Sequence, residues 1–444
     1  MSIDLRLNDY MHNIKTLRTF VSAIEPVLIK EADENFKENG SNLLPVLVAM
    51  HGENPDMVDL TEEKKKLIIE KFDLEITDEN KIKFKNYEAA KKFNATFDKV
   101  RMMQKQIEML YENSLMNLVM YFETLISNLI KQHLSEHGDV KKKTLSFEQI
   151  SQMGSIEEAK EFLLDKEVHD LMYQGFDDWI AYLKRHLKLS MGYLENCNNR
   201  IIEILQRRNL IIHNGGKVNN IYLSRVKGKQ DQELKIGDRI LMKKEYLDDA
   251  IDLIESIGTL MLLEYWKKRK ADDTKRGYVL GELTYEHMKE ERWGIVKSYS
   301  YFLMNDNGLP QGTRLTAKVN YWQSHKWLNE FERVKNDVMN ADFSANSRDY
   351  QLCLLALQGK KESFIELLPE VCPNDIPLED FRDWPIFKEM RELEATKEFI
   401  KQQNSKITVI TPEMERELEL TESEIAVGIE TLDAEKNMQD KKID

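Results

Sequence analysis

The 444-residue chain is short of cysteine, of helix breakers and of net positive charge, and each shortage removes a class of protein. Its three cysteines, Cys197, Cys353 and Cys372, are an odd and sparse set that cannot make a disulfide framework. None has a neighbour at CxxC spacing, which argues against a thiolate zinc site. Only 9 Pro and 18 Gly are spread along the chain, so long helices with short connections are favoured. A formal net charge of -14 excludes a globally basic coat for nucleic acid. It leaves room for a local RNA site, because local potential outweighs the total. No uncharged apolar run of about 18 residues occurs, so no transmembrane helix is expected. The opening Met1-Ser2-Ile3-Asp4-Leu5-Arg6 lacks the basic-then-apolar pattern of a signal peptide, and a cytoplasmic location is the expectation.

What is present reads as an all-α chain. Hydrophobic residues make 41% and charged residues 32%, and the length predicts two or three domains. Residues 1-104 read as an N-terminal helical region broken by turns at Asn39-Gly40 and Gly52-Glu53-Asn54-Pro55. The apolar run Leu43 to Val48 fits a buried helix start or a strand. Residues 105-270 carry the strongest helical periodicity. Leu115, Leu118, Phe122, Leu125 and Leu129 form one face, and Leu247, Ile251, Ile254, Ile257 and Met261 form another. A helical block from about Ser155 to Leu189 and one from about Tyr193 to His213 lie between. The apolar runs Ile221 to Leu223 and Ile240 to Met242 fit a small hairpin. Residues 271-403 are richer in aromatics, with short-turn helix pairs such as Tyr350 to Leu357 and Ser363 to Leu368, a cadence like that of a tetratricopeptide array. Residues 404-444 are acidic, with few aromatics, and are expected to be disordered.

The chemistry-bearing stretch is Arg208-Asn209-Leu210-Ile211-Ile212-His213. Ile201, Ile204, Leu205 and Ile212 predict an apolar stripe, and at about 100° per residue Arg208 falls near its centre. Asn209 and His213 lie four apart, one above the other at the stripe's edge. A guanidinium directed at a packing surface calls for an anionic partner. Arg binds phosphate and offsets developing charge, while His moves a proton near neutral pH. The ribose 2′-hydroxyl can serve as nucleophile, so the protein need not supply one. Arg207 and Asn214 are candidate substrate contacts, the latter also a candidate C-cap before Gly215-Gly216. His133 and His137 are spaced for a two-histidine metal face, but a solvated helix end is the expectation. The clusters Lys141 to Lys143 and Lys267 to Lys270 read as solvated faces. The Trp and Tyr residues between 293 and 327 read as repeat-domain core rather than a base-stacking platform.

Arg208-Asn209-(x3)-His213 resembles the Arg-x4-His signature of HEPN ribonucleases. Phe122-Glu123 on a preceding long helix, the Asn214-Gly215-Gly216 stop and the final helix from Leu247 to Leu263 extend that resemblance over roughly residues 105-268. The resemblance implies a four-helix nuclease bundle that pairs as a homodimer and cuts RNA without a metal or other cofactor. It implies a 2′,3′-cyclic phosphate and a 5′-hydroxyl at the cut. It also implies a toxin or anti-phage role, with Arg208, Asn209 and His213 catalytic, and transfer RNA is the substrate suggested by analogy. The HEPN subtype with a Tyr two residues after the His is not matched, since Gly215 stands there. The C-terminal region would engage a regulatory protein partner. The alternative is a non-catalytic helical dimerisation scaffold.

Overall fold

The computed structural model describes residues 3-38, 41-42, 66, 69-76, 82-137, 144-226 and 234-407. The described chain is all-α apart from two short antiparallel ladders, Lys37–Glu38 with Ser41–Asn42 and Leu74–Ile76 with Ile82–Phe84. It forms two compact units, residues 1-280 and 281-444. The Leu43 to Val48 run, the Gly52 to Pro55 turn, Lys141 to Lys143 and the acidic tail beyond residue 407 lie outside the described residues.

In the first unit, α1 (Ile3–Phe36) packs along α2 (Tyr87–His137) and α8 (Lys244–Arg269). α1 runs unbroken, and the expected turns at Asn39-Gly40 and Gly52 to Pro55 lie outside the described residues. Leu7, Tyr10, Ile14, Leu17 and Val21 recur at three- and four-residue steps and are buried. Each such side chain contributes roughly 1.5–3 kcal/mol on full burial, and Pro26 lies in the helix beyond this buried face. Polar contacts fix the register of α1 on α8. The Tyr10 hydroxyl donates to the Ile254 carbonyl at 2.6 Å, and Arg18 Nε donates to Glu255 at 3.0 Å. The close approach requires Gly258, where a Cβ would lie 2.4 Å from the Tyr10 ring. The segment 1-104 thus contributes a full helix to the same unit as the helices of residues 105-270.

The predicted core faces of α2 and α8 are the observed ones: Leu115, Leu118, Phe122, Leu125 and Leu129 are buried, as are Leu247, Ile251, Ile254, Ile257 and Met261. The block from Ser155 to Leu189 is two helices, α4 (Ile156–Met172) and α5 (Phe176–His186), following the short α3 (Phe147–Ser151). Gly175, at φ 143°, makes the break between α4 and α5. After α6 (Asn198–Asn214) comes a helix, α7 (Asn220–Val226), where a strand was expected. Asn219 explains the difference: its Oδ1 accepts the backbone N–H of Tyr222 at 2.9 Å and so caps that helix's first turn. Ile240 to Met242 is irregular, and one isolated bridge joins Lys217 to Arg239.

The second unit holds α10 (Trp293–Met304) packed on α11 (Gln311–Trp327), then the short α12 (Lys335–Met339), and α13 (Arg348–Gln358) packed on α14 (Lys361–Val371). Trp322 stacks on Phe343 within a core that also contains Phe364, Phe381 and Phe387. The aromatic residues of this region therefore serve packing first, although Tyr301 is exposed. The helix α9 (Lys275–Lys289) crosses the division between the units.

Candidate functional site

α6 changes character along its length. Ile201, Ile202, Glu203, Ile204 and Leu205 are all buried, whereas Ile212, His213 and Asn214 are exposed. The helix leaves the core as it runs toward its C-terminus, which is why Ile212, expected on the buried stripe, stands in solvent. The helix stops at Gly215, whose φ of 56° favours a residue without Cβ. The N–H groups of Gly215 and Gly216 both turn back to the Leu210 carbonyl. The Gly216 carbonyl then accepts the Ile240 N–H at 2.9 Å, tying the stop to the 237-240 segment.

Arg208 turns toward α2 and donates from its terminal nitrogen to Glu123 Oε1. Both side chains are largely shielded, and Arg208 Nε is buried with no hydrogen-bond partner. Burial pushes the Glu123 carboxyl above its ordinary pKa, and the Arg208 charge and hydrogen bond pull back only part of that shift. Sequence reasoning noted Glu123 only as a marker of the preceding helix. Its spacing on α2, one residue after the core residue Phe122, gives no sign of its partner 85 positions away.

Asn209 is half-buried and His213 exposed, and neither side chain makes a hydrogen bond or ion pair among the described residues. Four residues apart, they share an edge of α6, while Arg208 lies about 140° round the helix from His213. One copy of the chain therefore presents Asn209 and His213 together and Arg208 on an adjoining face. The Asn214 side chain donates to the Lys217 carbonyl and so belongs to the turn.

Arg207, next to Arg208, is placed differently. Its Nε donates to Glu203 at 2.7 Å, and its guanidinium stacks 3.7 Å from the centre of the Tyr246 ring. Glu203 is buried and also accepts from Tyr246 at 2.6 Å, Tyr222 at 2.9 Å and Arg200 at 3.1 Å. The Tyr222 hydroxyl is pushed above its usual range, first by burial and then by the Glu203 charge. This cluster ties α6, α7 and α8 together beneath the exposed end of α6.

His133 is buried, not solvated: its ring stacks on His137 at 4.3 Å and meets His186 of α5 edge-on at 6.0 Å. Among the described residues no three His, Cys, Asp or Glu side chains are arranged to hold a metal ion. No described helix is long and apolar enough to cross a membrane. Lys268, Arg269 and Lys270 are exposed, with Arg269 paired to Glu136 at 2.9 Å. Comparison of the chain with protein-family models, with curated proteins and with solved structures found no match.

Proposed function

We propose that the chain is a metal-independent endoribonuclease of HEPN type, with Arg208, Asn209 and His213 as its catalytic set. The observation that supports this reading best is the contrast at the end of α6. Arg208 is braced by one carboxylate from α2 and keeps a buried donor unsatisfied, while Asn209 and His213 stand unengaged among the described residues. Buried polar groups are normally satisfied, so a half-satisfied guanidinium, with two unengaged polar side chains on the adjoining face of α6, suits a site that awaits an anion. In the proposed reaction a base removes the 2′-hydroxyl proton and the 2′-oxygen attacks the adjacent phosphorus. The P–O5′ bond breaks, leaving a 2′,3′-cyclic phosphate and a 5′-hydroxyl. His213 gives the proton to the departing 5′-oxygen, Arg208 offsets the added charge on the phosphate, and Asn209 orients it.

The reading extends to a homodimer acting as a cytoplasmic toxin or anti-phage effector, with RNA, transfer RNA by analogy, as substrate. Ile212, Ile221, Ile236 and Leu241 are exposed on the segments about the Gly215-Gly216 stop and offer apolar side chains to a second copy. Two copies meeting there would bring two Arg-Asn-His sets to one cleft. The second unit would bind a regulatory protein partner. The test is an RNA oligonucleotide carrying a single 2′-deoxy nucleotide at the cut position. The proposal expects the normal strand to yield cyclic phosphate ends and the deoxy strand to remain whole, whereas cutting of both strands would rule out 2′-hydroxyl attack.

A second reading is a non-catalytic dimerisation scaffold, in which Arg208 and Glu123 are only a structural ion pair between α6 and α2. The exposed apolar residues favour it as much as they favour a dimeric enzyme. It expects His213→Ala to alter no assay except stability.

A further inference from the structure

Away from α6, the side chains of Arg6 on α1, Asn128, Lys131, Gln132 and Ser135 on α2, and Glu161 on α4 line a cavity of about 320 Å³, together with Glu136. Its lining holds no apolar residue. Pockets for small molecules are usually mostly apolar with a few polar groups, so a wholly polar lining selects a polar ligand. The α2 residues Asn128, Lys131, Gln132 and Ser135 sit about 80–180° round that helix from Glu123, so this cavity and the α6 site use different faces of α2.

The carboxylates around the cavity already have partners. Glu136 is paired with Arg269 at 2.9 Å and accepts from Gln132 Nε2 at 2.9 Å. Lys131 holds Glu161 at 3.2 Å and Asp165 at 2.6 Å. Arg6 has no carboxylate partner among the described residues, and its Nε is buried without a hydrogen bond. Gln132 Oε1 is likewise buried and unpartnered. Arg6 and Gln132 thus line a single cavity, and internal packing leaves a polar atom of each without a partner.

We propose that this cavity binds a small ligand through an oxyanion group, a phosphate or a carboxylate, gripped by the Arg6 guanidinium. Arginine suits either oxyanion, because its planar fork donates two parallel hydrogen bonds. The site is separate from the proposed nuclease residues, so its test reads binding and does not depend on RNA cleavage.

The test is calorimetric titration of the full chain with inorganic phosphate, adenosine monophosphate and glutamate. Saturable binding of at least one is expected, at least about tenfold weaker in Arg6→Met, which keeps the stem and removes the donors. Asn128 is exposed, so Asn128→Asp should leave the fold intact while its added charge weakens binding in the same direction. A response to phosphate or the nucleotide identifies a phosphoryl ligand, and a response to glutamate a carboxylate ligand. No saturable binding of any of the three at millimolar concentration would overturn the proposal. So would binding left unchanged by both substitutions, and if Arg6→Met fails to fold, Asn128→Asp alone decides.

Discussion

Arg207 and Arg208 are sequence neighbours on one helix, yet they occupy opposite electrostatic situations. Arg207 lies in a closed cluster, where Glu203 accepts from two arginines and two tyrosines and the Tyr246 ring covers the guanidinium. Arg208 has one carboxylate partner and a buried Nε with none. A cluster whose donors and acceptors are all met rigidifies its surroundings and has nothing left to offer a ligand. An incomplete one keeps binding capacity in reserve. The difference suggests a division of labour over a single peptide bond, with Arg207 holding α6 in place and Arg208 presented by it.

The largest expected effect lies in the closed cluster. Glu203→Ala leaves two arginines without their buried carboxylate, and removal of one partner from such a pair costs about 3–5 kcal/mol. Urea unfolding would read that loss, and a loss below about 1 kcal/mol would break the contrast. Next, Arg207→Met should cost about 2–3 kcal/mol through its charged hydrogen bond and ring contact. Arg208→Met should cost at most about 1 kcal/mol, since its pair is partly exposed. Equal losses at the two positions would erase the proposed division.

The smallest effect concerns pH. Burial raises the folded-state pKa of Glu123 above its unfolded value. The folded state therefore holds the proton more tightly, and this group's stabilising contribution is full at low pH and is lost as pH rises through the folded pKa. Glu123→Gln mimics the protonated form. Wild type and variant should have similar stability below the ordinary carboxyl range, and the variant should gain relative to wild type as pH rises through it. Unfolding free energies measured across that range check the sign, and a relative gain for wild type would mean that Arg208 outweighs burial.

Long amphipathic helices were legible because their periodicity is local. The faces from Leu115 to Leu129 and from Leu247 to Met261 follow from spacing alone. The Gly215-Gly216 stop was legible for the same reason, since a positive φ leaves a mark in residue type. Less was legible where tertiary contact decides. Ile212 fits a stripe by angle but lies where α6 has already left the core. The burial of Glu203 left no mark in the spacing, because Tyr222 and Tyr246 reach it from other helices. At the candidate site the Arg-x4-His spacing was visible. The Glu123 brace and the locked state of Arg207 depend on residues distant in sequence or on other helices.

The central claim is that the open end of α6 cuts RNA and the closed cluster beneath it does not. The most direct measurement is cleavage of total RNA by purified protein in EDTA, comparing wild type with Arg208→Ala, His213→Ala and Arg207→Met, each verified as folded. The account predicts cutting by wild type, loss of cutting in both Arg208→Ala and His213→Ala, and retained cutting by Arg207→Met at temperatures where it stays folded. Equal cutting by wild type, Arg208→Ala and His213→Ala would contradict it.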